Sequence, residues 1–521
     1  MEGRGEMKKK LITAVLSVIA ALFVFICITD VINEDVYADG SWWNNGSEWC
    51  LNMITQQIYG DSSDGTYSRV ADEVFKITDN TVQDETSTDG KKKTAVLSEH
   101  IEKKEDNTVT KNDSDDVLNL IKAPLSEFDT TTPSIGDVKA IVVEVEFPDL
   151  GYSDDCLQTD ELKEAIFGEE DRASIFYPLE SVSAYYKRAS YGNMSIDGDV
   201  YTYTAKNPRN YYSEGKEYET LVMETLQALD EQIDYSDYDS NKDGYIDCIS
   251  FNVPINGTSD DDFWYGCQAT WYINPEFSVD GISLKGYVIN DEQPLRDDMK
   301  TYNATLCHEI GHLMGLPDYY KYNTPDDWEG LNGEAGYERM DDSWGDFGAF
   351  SKLMLGWFRQ SDVSICDLSQ GSSTYILRTT SSEQGGNMII VPVGELDENY
   401  FSEYFVIEYI TPENNNYGIF DDGGIRVFHV DAEAITDENN EKKSFKYNNF
   451  SKYYDTTDKG IRVISLVNDN NGFYTSGSIV EFGTDNFGMY DENGHPTVEP
   501  GFKIDIGELV NGQYTVTITT N

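Results

Sequence analysis

One stretch of the chain has residue types and spacing suited to catalysis: Cys307-His308-Glu309-Ile310-Gly311-His312-Leu313-Met314-Gly315-Leu316-Pro317-Asp318. On a helix, His308 and His312 lie one turn apart on one face, so both imidazoles can reach one metal ion. Glu309 sits beside them, placed to poise a metal-bound water without ligating the metal. Gly315 can end the helix with φ > 0, after which Asp318 returns as a third ligand. The fourth position is then left to water, which is the arrangement of a catalytic zinc site. The chain has only five histidines. The other three, His100, His429 and His495, are isolated and read as structural or solvated.

A second run, Asp237-Tyr238-Asp239-Ser240-Asn241-Lys242-Asp243-Gly244-Tyr245-Ile246-Asp247, resembles an EF-hand-type calcium loop. The register with Gly at position 6 puts Asp239, Asn241, Asp243 and Asp247 at positions 1, 3, 5 and 9, with the Tyr245 carbonyl at 7. Position 12 is Ser250 instead of the usual Glu. The site is therefore short of a ligand unless Asp237 or a distant carboxylate supplies one. Its expected role is structural, with an acidic solvated turn as the alternative.

These groups need elements to hold them. A helix is expected over about residues 303–314, anchored by the apolar stripe Leu306, Ile310 and Leu313. The β-branched run of residues 138–147, stopped by Pro148-Asp149, reads as a strand. Helical patterns fall at 181–188 and 218–230, and a strand at 249–253 follows the acidic loop. From about residue 361, short apolar runs recur between Gly/Asn/Asp turns, at 375–377, 388–391, 404–410, 424–430, 461–467 and 514–519. That spacing suggests a β-sandwich.

The pattern HExxHxxGxxD resembles the metzincin type in the variant where Asp replaces the third His. Glu338-Arg339-Met340-Asp341-Asp342, Gly345-Asp346-Phe347-Gly348-Ala349-Phe350-Ser351-Lys352 and Leu355-Gly356-Trp357 resemble the region after the zinc helix in M6-type peptidases, the immune inhibitor A-like secreted bacterial metalloproteases. Ser181-Val182-Ser183-Ala184-Tyr185-Tyr186 with Ser190-Tyr191-Gly192-Asn193 is similar to that family's early helix and turn. Residues 405–409 and 423–431 are similar to its β-rich region. The resemblance spans about residues 135–521. It implies an α/β zincin-like catalytic domain followed by an all-β domain, with Met340 as the Met-turn residue beneath the metal. It also implies zinc-dependent peptide hydrolysis with Glu309 as general base. An adhesin with a structural zinc and a zinc hydrolase acting on a cell-wall amide are the competing functions. The oxyanion-stabilising residue cannot be picked out among the tyrosines.

The chain has 521 residues, with 95 Asp and Glu against 38 Lys and Arg, a net charge of -57. Such a polyanion repels nucleic acid and anionic lipid, so neither is expected as a partner, and the protein or peptide substrates that the resemblance implies would be basic or neutral. Arg4 and Lys8 to Lys10 precede an uncharged apolar run at residues 11–29, and Val36-Tyr37-Ala38 has small residues where a signal peptidase needs them. This reads as an export signal over residues 1–38 of a secreted monomer. The run would span about 29 Å as a helix, so an uncleaved surface anchor is the alternative. Residues 39–134, polar and low in apolar clusters, read as a propeptide-like, partly flexible segment. Residues 135–360 then form the catalytic domain and 361–521 the β-rich domain. Of seven cysteines, Cys27 falls in the signal, and the rest show no disulfide framework. Cys307 reads as a small buried residue. Cys50, in the propeptide-like segment, could cap the zinc, though packing beside Trp49 is the simpler role.

Overall fold

The computed structural model describes residues 120–213, 218–255, 267–269, 277–320, 336–341, 343–436, 443–448, 463–467, 473–480, 482 and 500–521. The signal-like stretch, residues 39–119 of the propeptide-like segment, Cys27, Cys50, His100 and His495 lie outside them. Among the described residues no helix is long and apolar enough to cross a membrane.

The chain is mixed α and β, with several sheets. The first sheet is built from β1 (Gly136–Glu146), β2 (Met194–Thr204), β3 (Cys248–Asn252), β4 (Cys267–Ala269) and β5 (Tyr287–Asn290), in the order β2-β1-β3-β5-β4. Strands β2, β1, β3 and β5 pair in parallel, and β4 closes the edge antiparallel. The alternation along β1 explains its place. Val138, Ala140 and Val142 point into one core, and Ile141, Val143 and Val145 into another. A strand buried on both faces needs helices on both faces.

Helices α1 (Thr159–Phe167) and α2 (Val182–Ala189) cover the first face. The α2 helix starts at Ser181, whose hydroxyl accepts the Ala184 N–H at 3.0 Å, as an N-cap should. A short α3 (Arg209–Ser213) leads to α4 (Tyr218–Leu229), which covers the opposite face with Leu221, Val222, Leu226 and Leu229. The helix that carries the histidines, α5 (Met299–Leu313), lies on the same face as α1 and α2. The short helix α6 (Ala349–Met354) is buried along its whole length.

Strands β6 (Val363–Ile365), β7 (Ser372–Arg378), β8 (Met388–Pro392), β9 (Glu403–Ile410) and β10 (Gly424–Asp431) open the β-rich region. They are followed by β11 (Ala434–Thr436), β12 (Lys443–Phe445), β13 (Ile464–Leu466), β14 (Ile479–Val480), β15 (Phe502–Val510) and β16 (Gln513–Thr520). Two larger sheets result, β13-β10-β9-β8-β6 and β14-β15-β16-β7. Ile389, Phe405, Ile407, Ile425 and Val427 of one meet Ile504, Ile506, Val516 and Ile518 of the other, which is the packing of a sandwich. The outer face of the five-stranded sheet is also apolar. Ile390, Val406, Phe428 and Leu466 join the core that holds α5 and α6. The β-rich region thus shares a core with the helices that precede it.

Residues 120–134 are the main departure from the sequence reading. They are folded against this core, with Ile121, Leu125, Thr131 and Thr132 buried. Ile121 N–H donates to Phe358 O at 2.8 Å, and the Trp357 indole donates to Ser134 O at 2.7 Å. The N–H groups of Thr131 and Thr132 both donate to Leu313 O, at 3.0 and 3.1 Å, at the end of α5. The strap is held by these backbone bonds together with a few buried side chains, and the backbone bonds leave no apolar pattern to read.

Candidate active site

The end of α5 builds the site. Gly315 has φ +99°, with its N–H on His312 O at 2.9 Å and the next N–H, of Leu316, on Gly311 O at 3.1 Å. These two bonds are a Schellman turn. It brings the Leu316 carbonyl back over the helix, where His312 Nδ1–H donates to it at 2.8 Å. His308 Nδ1–H donates to the Arg339 carbonyl at 2.9 Å. A carbonyl only accepts, so both imidazoles carry their proton on Nδ1 and turn Nε2 inward.

Both Nε2 atoms converge on Asp318 Oδ1, His308 at 2.8 Å and His312 at 3.3 Å. Two Nε2 lone pairs facing a carboxylate repel unless positive charge lies between them. Burial opposes a charged His312, yet Asp318 outweighs it and pushes the imidazole up to about 9. Burial likewise opposes the Asp318 carboxylate, but His312 and His308 hold it well below the usual carboxylate range. A divalent cation meets the same demand. Ligands around a tetrahedral ion with bonds of about 2.0–2.1 Å lie about 3.3 Å apart, which these separations approach.

Glu309 lies with the two imidazoles in a group whose ligand-type atoms are all within 4.8 Å, and this group could hold a metal ion. Glu309 is buried, and its Oε2 has no hydrogen-bond partner. Burial raises its carboxyl above the ordinary value, with the two imidazoles pulling the other way. Residues of the right type, with a cation-demanding centre and an unpaired buried carboxylate oxygen, fit a bound metal.

Met340 is fully buried in a 3-10 turn, Arg339–Asp341. A Cβ built on Gly311 would come within 2.7 Å of its sulfur, so the methionine packs against the turn of α5 between His308 and His312. Met340 O accepts the Tyr319 N–H at 2.7 Å, which pins the segment that carries Asp318. Arg339 is buried too. It donates to Tyr185 Oη, Ala304 O and Trp344 O, so it ties α2, α5 and its own turn together. The Arg339 and Leu316 carbonyls were not foreseeable from side-chain letters. Neither was Tyr320, whose ring stacks on His308 at 6.2 Å. Cys307 is buried, and burial pushes its thiol up to about 12, so it is inert as a ligand. Cys156, Cys248 and Cys366 are buried free thiols. His429 is buried in β10 against Glu403, at 2.8 Å.

The acidic loop is ordered by its own side chains. Asp239 accepts N–H bonds from Asp243 and Gly244, at 3.0 and 3.1 Å. Asn241 Oδ1 accepts from Asp243 N–H and Asp243 Oδ1 from Tyr245 N–H, each at 3.0 Å. Lys242 and Gly244 have φ of 63° and 90°. Asp247 is buried with Oδ2 on the Ser240 N–H at 2.7 Å, while Oδ1 has no partner. Burial raises its carboxyl, and Asp239 and Asp243 raise it further. Asp237 is exposed in the preceding turn, and Ser250 donates to Asn252 within β3. The loop touches α5 indirectly. Thr132 Oγ1 donates to Asp247 O at 2.6 Å, and the same residue's N–H caps Leu313.

No protein family matches the chain by sequence, and neither does any curated protein. A solved structure does match, the catalytically inactive OgpA from Akkermansia muciniphila in complex with an O-glycopeptide (glycodrosocin) substrate. The two are 11% identical, and the match covers 60% of this chain and 94% of that one, with a TM-score of 0.24. So loose a superposition does not establish a shared fold.

Proposed function

We propose that this chain is an exported zinc-dependent endopeptidase with a zincin, metzincin-like catalytic region and a β-sandwich behind it. The observation that carries the reading is Glu309, a buried carboxylate with a free oxygen beside two imidazoles that both turn Nε2 toward Asp318. A purely structural metal site has no use for such a base. His308, His312 and Asp318 would hold the zinc, and Met340 would support it from below. Bound there, zinc would acidify a water and polarise the scissile carbonyl. Glu309 Oε2 takes the proton of the attacking water and returns it to the leaving amine, a role favoured by its raised carboxyl. Substrates are proteins or peptides, and the acidic surface favours basic or neutral ones.

The test is digestion of a protein substrate with and without chelator, alongside Glu309→Gln. Cleavage should stop on chelation and return with zinc. The variant should keep its zinc and lose at least about a hundredfold in rate. Cleavage indifferent to chelator, or an active Glu309→Gln, would sink the reading. Zinc bound with no peptide cleaved would point instead to a structural metal or a non-protein amide.

Calcium in the loop of Asp239, Asn241, Asp243, Tyr245 and Asp247, with Asp237 accessory, is part of the same proposal. The unpaired Asp247 Oδ1 among crowded carboxylates supports it. Calcium should raise the melting temperature of the wild type and leave Asp247→Asn unmoved. No rise in the wild type removes the site.

A further inference from the structure

Glu338 is almost completely buried, at 1% exposure, and does not touch the metal-binding group. It reaches that group through one peptide unit. Met340 N–H donates to Glu338 Oε1 at 2.5 Å, and the carbonyl of that same peptide, Arg339 O, accepts His308 Nδ1–H at 2.9 Å. A trans peptide points its N–H and C=O in opposite directions, so the carboxylate and the imidazole sit at its two ends. Charge at one end polarises the unit and strengthens the acceptor at the other. Glu338 is itself fixed, because Oε2 accepts Gly348 N–H at 3.0 Å and Ser351 Oγ–H at 2.8 Å.

We infer that Glu338 is a positioning residue for metal binding, acting on His308 through the 339–340 peptide as a carboxylate directly behind a ligating imidazole would. Carboxylates in direct contact with a ligating histidine fix its tautomer and raise its basicity. Here the contact is lengthened by a peptide and the same two effects follow. His308 keeps its proton on Nδ1, and Nε2 becomes a better ligand. The inference rests on the zinc reading above and names a residue that the reading does not require.

The experiment measures zinc affinity by competition with a chromophoric chelator, and the visible spectrum of the cobalt-substituted protein, on the full chain. Burial pushes the Glu338 carboxyl up to about 7, so the comparison is made at about pH 8, where Glu338→Gln keeps the shape and removes the charge. It should bind zinc about 10–100-fold more weakly and shift the cobalt bands. Ser351→Ala removes a bond to Oε2 and leaves the Met340 contact, so it controls for loosened packing. Its affinity should stay within about threefold of wild type. Glu338→Asp, which keeps the charge but shortens the arm, should fall between wild type and Gln, and it stands in if the Gln variant does not fold. Wild-type affinity and spectrum in the Glu338 variants overturn the inference, as does an equal loss in Ser351→Ala. A wild-type protein that binds no zinc at all fails the zinc reading instead, so the two failures are distinguishable.

Discussion

The site works through the contrast between atoms that can only accept and atoms that can do either. Carbonyls at Leu316 and Arg339 take the Nδ1 protons, which leaves both Nε2 atoms facing Asp318. The histidines, Glu309 and Asp318 are legible in the sequence because their letters and spacing state their chemistry. The two carbonyls are not, since every residue has one and only the folded chain aims it. Glycine is similarly ambiguous. Gly311 sits inside α5, where glycine costs about 1 kcal/mol relative to alanine. It is retained because the Met340 sulfur occupies the place a side chain would take. Gly311→Ala should therefore lose about 1–3 kcal/mol by overpacking, despite its better helix propensity. Chemical denaturation of the variant checks this, and a stabilised Gly311→Ala would show that Met340 yields freely.

At the scale of elements, the turn after α5 matters more than the helix itself. The helix is legible over 303–314 and begins a turn earlier, at Met299. Its first turn has no side-chain N-cap bond to announce it. The short α1 was not read from the sequence, since its buried face is only Leu162 and Ile166, one turn apart, behind a Gln158–Glu161 capping box. The turn at Gly315 was readable as a helix stop, but its second duty, placing the Leu316 carbonyl on His312, was not. A side chain there meets two obstacles, the φ of +99° and Thr130 Cγ2 at 2.8 Å from a built Cβ. Gly315→Ala should cost about 1–3 kcal/mol and weaken zinc binding with it, because the His312 acceptor moves. Calorimetry and the chelator competition read the two effects separately. A variant that loses stability while holding zinc as tightly as wild type would show that the Leu316 carbonyl is dispensable.

At the scale of the whole molecule, the chain carries a net charge of -57, and among the described residues some of its carboxylates are buried. Burial pushes Asp431 up to about 6, with His429 pulling down and Glu403, its cross-strand neighbour, pushing up. The sign follows from proton counting. Between about pH 4 and 6 the folded state holds a proton on Asp431 that the unfolded state has released, so this group's contribution is lost as pH rises through that window. Asp431→Asn should flatten the fall in stability over that window, measured by denaturation of both proteins under identical conditions. An unchanged slope would place the titration elsewhere. The sandwich was legible because its strands alternate between turns. Its fusion with the helical core was not, since it depends on which face of a shared sheet stays apolar. The strap of residues 120–134 has the widest reach. Phe128 stacks on Phe401, Glu127 accepts from Asn399, and Thr131 and Thr132 cap α5. A break in the chain would therefore be felt differently on either side of Leu120: one ahead of it leaves the strap whole, while one within residues 121–134 would strip the Leu313 carbonyl of both its N–H partners and loosen the end of α5 where the histidines sit.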